Sequence, residues 1–256
     1  MSMSGKHHWP ILFVLLLLGS SSFRLAAPFI VCLEPLYKAS NKPFRRPFRV
    51  PVRVKKVSPS PPAPFPLLCS LSPPLPSWLA QVLPEQNVTS LTPLQQQTYS
   101  LLNDTKDTNN TQTEPLTLLI KSPTGSGKTL AYLLPMLARL DYARRSTQAV
   151  VIVPTPGLVM QVTRLIRYLL KGRQEDFNVM PIVDEGRGSR SKTGWILSDP
   201  PIVVIGTPKG LSDVLGPGGS GWASKVEHVV VDEVDECERR YGEDLNRVIG
   251  RALSRR

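Results

Sequence analysis

An eight-residue loop, SPTGSGKT at 122–129, lies between two apolar runs and narrows the architecture of this chain more than any other stretch. Upstream, LTLLIK at 116–121 is short, apolar and partly β-branched, as a buried strand is. Downstream, TLAYLLPMLARL at 129–140 is long and apolar enough for a core helix. A loop that wraps phosphate oxygens needs backbone N–H groups turned inward, and Gly125 and Gly127 permit that without a Cβ in the way. Ser122, Pro123, Thr124, Gly125, Ser126, Gly127, Lys128 and Thr129 are therefore expected to bind nucleotide phosphates. Lys128 supplies a point charge to the β- and γ-phosphates and Thr129 a hydroxyl to Mg2+. One position departs from the pattern G-x-x-x-x-G-K-[ST]: Ser122 stands where the first Gly is usual.

From residue 92 onward, strand-like and helix-like segments alternate. QAVVIV at 148–153, FNVMPIV at 177–183, PIVVIG at 201–206 and HVVVDE at 228–233 read as strands. Helical stretches fall at 91–102, 129–140, 157–172, 208–215 and 236–252. Continuous β-branched runs between helices predict an α/β domain over 70–256, a mostly parallel sheet with helices on both faces. The run VVVDEVDE at 229–236 then delivers Asp232 and Glu233 at the carboxyl edge of that sheet, where open α/β folds bind ligands. Asp232 is expected to hold Mg2+, and Glu233 to orient and deprotonate an attacking water. The other reading is an acidic first turn on the following helix, stabilised by its dipole.

With these residues in order, the chain resembles the DEAD-box RNA helicases, specifically the first of their two RecA-like domains. SPTGSGKT at 122–129 is similar to the family's motif I, and Asp232-Glu233-Val234-Asp235 to its signature tetrad with Val in place of Ala. PTPGLVMQ at 154–161 occupies the place of motif Ia and GTPKGL at 206–211 that of motif Ib. LTPLQ at 91–95 resembles the Q motif, which implies that Gln95 reads the adenine edge with Thr92 in support. The resemblance implies ATP and Mg2+ as cofactors, with Lys128 and Glu233 catalytic. RNA backbone is expected at Thr155, Thr207, Pro208 and Lys209, without sequence specificity. Gln161, Arg164, Arg167 and Lys171 at helical spacing are read as a solvated face rather than an RNA contact.

The departures from the family pattern are specific. Pro156 and Gly157 replace an Arg-Glu pair, and Lys209-Gly210 inverts the usual Gly-Arg order. The aromatic usual upstream of the Q motif is replaced by Ser70, with Phe65 and Trp78 nearby. Lys128 follows Gln95 by 33 positions, a long spacing that is expected to hold an inserted polar loop, NDTKDTNNTQTE at 103–114. After the tetrad the sequence runs only to Arg256, so the S-A-T motif and the second domain with its arginine finger are not in it. The expectation is a chain that binds nucleotide, cannot unwind RNA alone and leaves the sheet edge unpaired.

Net charge is +11, but residues 1–84 carry 10 Lys/Arg against the single acid Glu34, leaving +2 for residues 85–256. Bulk charge therefore describes the leader and says nothing about RNA. Residues 1–22 place Lys6 before WPILFVLLLLG and then Ser20 to Ser22, the order of a secretory signal, too short to span a bilayer. Residues 23–69, basic, acid-poor and Pro-rich, are expected to be a disordered leader. Together they resemble the two-part leader of proteins imported into secondary plastids, with a mitochondrial presequence as the alternative and no stable membrane association after leader removal. Cys32, Cys69 and Cys237 show no paired spacing and argue against a disulfide scaffold. Two other functions stay open: a non-catalytic RNA- or partner-binding module derived from a helicase, and another P-loop NTPase such as a DNA helicase.

Overall fold

The computed structural model describes residues 13–18, 53–57, 71, 73–103, 116–123, 125–173, 178–183, 196, 198–215, 223 and 225–253. The strands are β1 (Phe13–Leu18), β2 (Arg53–Val57), β3 (Leu116–Lys121), β4 (Ala149–Ile152), β5 (Val179–Ile182), β6 (Val203–Gly206) and β7 (His228–Val231). The helices are α1 (Ser77–Val82), α2 (Pro93–Asn103), α3 (Lys128–Arg139), α4 (Pro156–Leu170), α5 (Pro208–Leu215) and α6 (Val234–Leu253), the last broken by non-helical Tyr241.

Among the described residues these strands form one sheet, all pairs parallel, in the order β2-β3-β1-β7-β4-β6-β5. Every residue of β4, β6 and β7 is buried, as a sheet covered on both faces requires. Successive side chains in a strand point to opposite faces, so each strand feeds two cores. Ala149 and Val151 join the core built with α1 to α4, whereas Val150 and Ile152 join the core built with α5 and α6. The same alternation divides Val203 and Ile205 from Val204, and Val230 from Val229 and Val231. The expected α/β architecture with helices on both faces is therefore the observed one.

Residues 13–18, within the run read as a signal core, and 53–57, within the stretch read as a disordered leader, are strands. β1 lies between β3 and β7, with Leu16 opposite Leu119 on one side and Val231 on the other, so the strand beside the site is paired. A six-residue apolar run suits a signal core and a strand equally, and periodicity cannot separate them. β2, with the sequence RVKKV, pairs with β3 at one end of the sheet. The rest of the expected leader up to residue 70, and the expected polar insertion beyond Asn103, lie outside the described residues.

Because all strands run parallel, their carboxyl ends share one edge. β3 leads into Ser122, β4 toward Thr155, β6 into Thr207 and β7 into Asp232.

Candidate functional site

The loop between β3 and α3 turns on two glycines in the left-handed region, Gly125 at φ 79° and Gly127 at φ 83°. Ser122 is not among the residues with positive φ, so its backbone accepts a Cβ, and glycine is not required at the first position of the loop. Ser122 is buried, and its Oγ lies 2.6 Å from Ser126 Oγ, a hydrogen bond that braces the loop from inside. Lys128 Nζ donates to Ser122 O at 2.8 Å and to Pro123 O at 3.4 Å. Those carbonyls hold the ammonium across the loop, where phosphate oxygens can replace them. Pro123 and Gly125 are exposed and Gly127, Lys128 and Thr129 half-buried, while Thr124 lies outside the described residues.

At the start of α2, the TPLQ sequence forms a reciprocal cap. Gln95 N donates to Thr92 Oγ1 at 3.3 Å, and Thr92 N donates to Gln95 Oε1 at 2.9 Å. This is the capping box of Thr and Gln three residues apart, with Pro93 at the first helical position, a signal that was present in the sequence but unused. The other end of the same amide reaches across the chain, Gln95 Nε2 donating to Gly127 O at 3.2 Å. Gln95 is buried, and among the described residues its amide keeps one N–H and one lone pair without a partner.

On the acidic side, Asp232 N donates to Ile152 O at 2.8 Å and the Cys237 thiol to Asp232 O at 3.4 Å, fixing the backbone between two elements. Asp232 Oδ2 accepts from Tyr132 Oη at 3.3 Å, and Tyr132 is 1% exposed. Burial first, and then the neighbouring charge of Glu233, push the Asp232 carboxyl above its ordinary range, while the Tyr132 hydrogen bond and Lys128 act in the opposite sense. Glu233 stands at φ 48°, a strained conformation for a non-glycine residue, and its carbonyl accepts from Glu236 N and Cys237 N as α6 begins. The acidic first turn of α6 is supplied by Asp235 and Glu236, with Glu236 pulled down to about 2 by Arg239 and Arg240. Asp232 is thus held toward α3 and not spent as a helix cap.

Thr129 and Asp232 offer a hydroxyl and a carboxylate, hard oxygen donors that fit Mg2+. Among the described residues there is no group of three or more His, Cys, Asp or Glu suited to a metal ion. A cation here has to share its shell with phosphate oxygens, which is how Mg2+ binds at nucleotide sites. Tyr132, one helical turn beyond Thr129, was missed by sequence reasoning; its only signal was a lone hydroxyl in the apolar run LAYLL.

The expected RNA contacts divide in two. Thr155 caps α4, its Oγ1 accepting from Leu158 N at 3.3 Å, and remains partly exposed. Pro156 follows at the first helical position, which suits Pro, so the lost Arg-Glu pair is replaced by a helix start. Thr207 and Pro208 are buried, and Thr207 Oγ1 accepts from Gly210 N at 3.2 Å. Lys209 is partly exposed and pairs with Asp213 at 3.1 Å. Thr155 and Lys209 are therefore the two of these side chains that face solvent. Arg167 is tied to Val179 O at 2.8 Å, and Lys171 lies over the Tyr168 ring at 5.2 Å. Trp78 packs edge-on against Tyr142, with the Arg173 guanidinium 5.6 Å from its ring and 3.9 Å from that of Tyr142. Phe65 and Ser70 lie outside the described residues.

A parallel α/β sheet with a glycine-bearing loop after one strand and paired carboxylates after another is the architecture of a RecA-like P-loop domain. Residues 92–256 match the model of the DEAD/DEAH box helicase family, and the chain belongs to that family. The rice protein named DEAD-box ATP-dependent RNA helicase 58, chloroplastic, is 38% identical over 117 residues, covering 46% of this chain and 26% of that protein. The ATP-dependent rRNA helicase SPB4 of Chaetomium globosum is 28% identical over 208 residues, 71% of this chain and 31% of that protein. Among solved structures, Mss116p bound to ssRNA and AMP-PNP superposes with a TM-score of 0.64 at 22% identity over 78% of this chain and 39% of that one, a likeness of fold. The chain spans 26% and 31% of the lengths of these two curated relatives.

Proposed function

We propose that this chain binds ATP or ADP together with Mg2+ and contacts RNA backbone, as the nucleotide-binding part of a DEAD-box ATP-dependent RNA helicase. The observation that carries the proposal is the hydrogen bond from Gln95 Nε2 to Gly127 O, which ties the residue expected to read adenine directly to the loop. Thr92 orients that amide, and Ser122 and Ser126 brace the loop. Lys128 exchanges its two carbonyl partners for phosphate oxygens. Thr129 and Asp232 would hold Mg2+, which when bound neutralises charge on the β- and γ-phosphates. Glu233, beside Asp232 at the same edge, accepts a proton from water. RNA backbone meets Thr155 and Lys209 on the neighbouring strand ends, contacts that carry no base information.

The test is the anisotropy of labelled single-stranded RNA with the full chain, with and without Mg2+ and a non-hydrolysable ATP analogue. Binding that requires nucleotide and is lost in Lys128→Ala supports the proposal. RNA binding indifferent to nucleotide and to Lys128 would favour the non-catalytic module, and equal affinity for single-stranded DNA the DNA helicase.

For localisation we propose a plastid, supported by the word chloroplastic in the names of the rice and Arabidopsis relatives. Among the described residues no helix is long and apolar enough to cross a membrane. Residues 1–60 fused to a fluorescent protein should reach plastids; mitochondrial fluorescence would refute this address.

A further inference from the structure

Tyr132 stands between the two residues assigned to the cation. It lies three positions after Thr129 on α3, its ring is 1% exposed, and its hydroxyl donates to Asp232 Oδ2 at 3.3 Å. Asp232 needs such a partner: its carboxylate is half-buried beside the like charge of Glu233, and an unrestrained carboxylate there has reason to turn away. The Tyr132 bond to Oδ2 limits how the carboxylate can turn, and so how its remaining lone pairs face a cation. We propose that Tyr132 is a positioning residue that holds Asp232 toward Thr129, one helical turn before it on α3, presets the two as a pair of cation ligands and so sets how much Mg2+ adds to nucleotide affinity.

This inference rests on the nucleotide site proposed above. It differs from a plain structural role, in which the phenol only satisfies its own buried hydroxyl. Loss of a structural hydrogen bond changes nucleotide affinity by the same factor whether or not a cation is present. Loss of a positioning contact changes only the part that the cation contributes, and outer-shell partners of metal ligands typically contribute about tenfold or more to metal affinity.

The experiment titrates fluorescent ADP against the full chain and Tyr132→Phe, once in EDTA and once with excess Mg2+. Phe keeps the ring in place and removes only the oxygen. The expected result is a metal-free affinity within about twofold of the unmodified chain and a Mg2+ enhancement reduced about tenfold. In an Asp232→Asn background the same substitution should have no further effect on the enhancement. An equal change in both conditions, no change in either, or an undiminished effect in the Asp232→Asn background would overturn the inference. If the unmodified chain binds no ADP in either condition, the site reading falls and this inference with it; equal factors overturn this inference alone.

Discussion

Gly127→Ala isolates the contact between the phosphate loop and Gln95. A Cβ at position 127 would sit 2.4 Å from Gln95 Nε2, 3.4 Å from its Cδ and 3.8 Å from Thr92 Cγ2, at φ +83°. Gly125 provides the control, since its φ is +79° and a Cβ there meets nothing within 4 Å. Alanine in the left-handed region costs roughly 1 to 2 kcal/mol, and both substitutions incur that cost equally. Only at 127 must the Gln95 amide also move, losing its hydrogen bonds to Gly127 O at 3.2 Å and from Thr92 N at 2.9 Å. At about 1 kcal/mol for each bond, Gly127→Ala should destabilise the chain by about 3 to 4 kcal/mol and Gly125→Ala by about half that or less. Urea unfolding of the nucleotide-free chain measures both. In a Gln95→Ala background the excess at 127 should vanish, because the clashing amide is gone. Equal destabilisation by the two alanines, or an excess that survives in the Gln95→Ala background, would refute the contact.

Three further predictions concern stability. His228 is buried, and burial, then Arg139 and Arg144, push its pKa from 6.5 down to about 3. The unfolded chain therefore binds the extra proton between those values, so stability falls as pH drops below about 6.5, by roughly 1.4 kcal/mol per pH unit from this group; unfolding at pH 7 and pH 5 should show a shallower loss in His228→Asn, and an unchanged loss would contradict it. Glu233 at φ 48° should make Glu233→Gly more stable than Glu233→Ala by about 1 kcal/mol, with the reverse order in thermal unfolding excluding strain at that residue. Leu16→Pro removes a backbone donor from β1, which is paired on both sides, and should cost about 2 kcal/mol or more; an unchanged midpoint would put β1 outside the sheet.

Much of the architecture was legible because two-sided burial writes itself as unbroken β-branched runs. QAVVIV, PIVVIG and HVVVDE became β4, β6 and β7 with their neighbours, and the glycines at 125 and 127 take the backbone angles that the loop motif implies. Ser122 looked like a defect only because a motif records residue types and not dihedrals; its backbone needs no glycine. What stayed hidden depends on partners distant in sequence. Tyr132 meets Asp232 across 100 positions, and Gln95 meets Gly127 across 32, so neither contact leaves a local period. The apolar run around residues 13–18 carried no sign of β3 and β7 on either side of it. Thr207 read as a contact residue because it heads a helix, but packing buried it.

The most direct test of the nucleotide site is a paired titration of the chain with fluorescent ADP and GDP, repeated for Lys128→Ala and Gln95→Ala. A charge-assisted contact contributes about 1.5 to 3 kcal/mol, so Lys128→Ala should weaken ADP by about tenfold or more. The unmodified chain should prefer ADP to GDP, and Gln95→Ala should abolish most of that preference while leaving phosphate binding in place. Equal affinities for ADP and GDP that neither substitution changes would contradict the assignment of residues 92–95 and 122–129 to one adenine-nucleotide site.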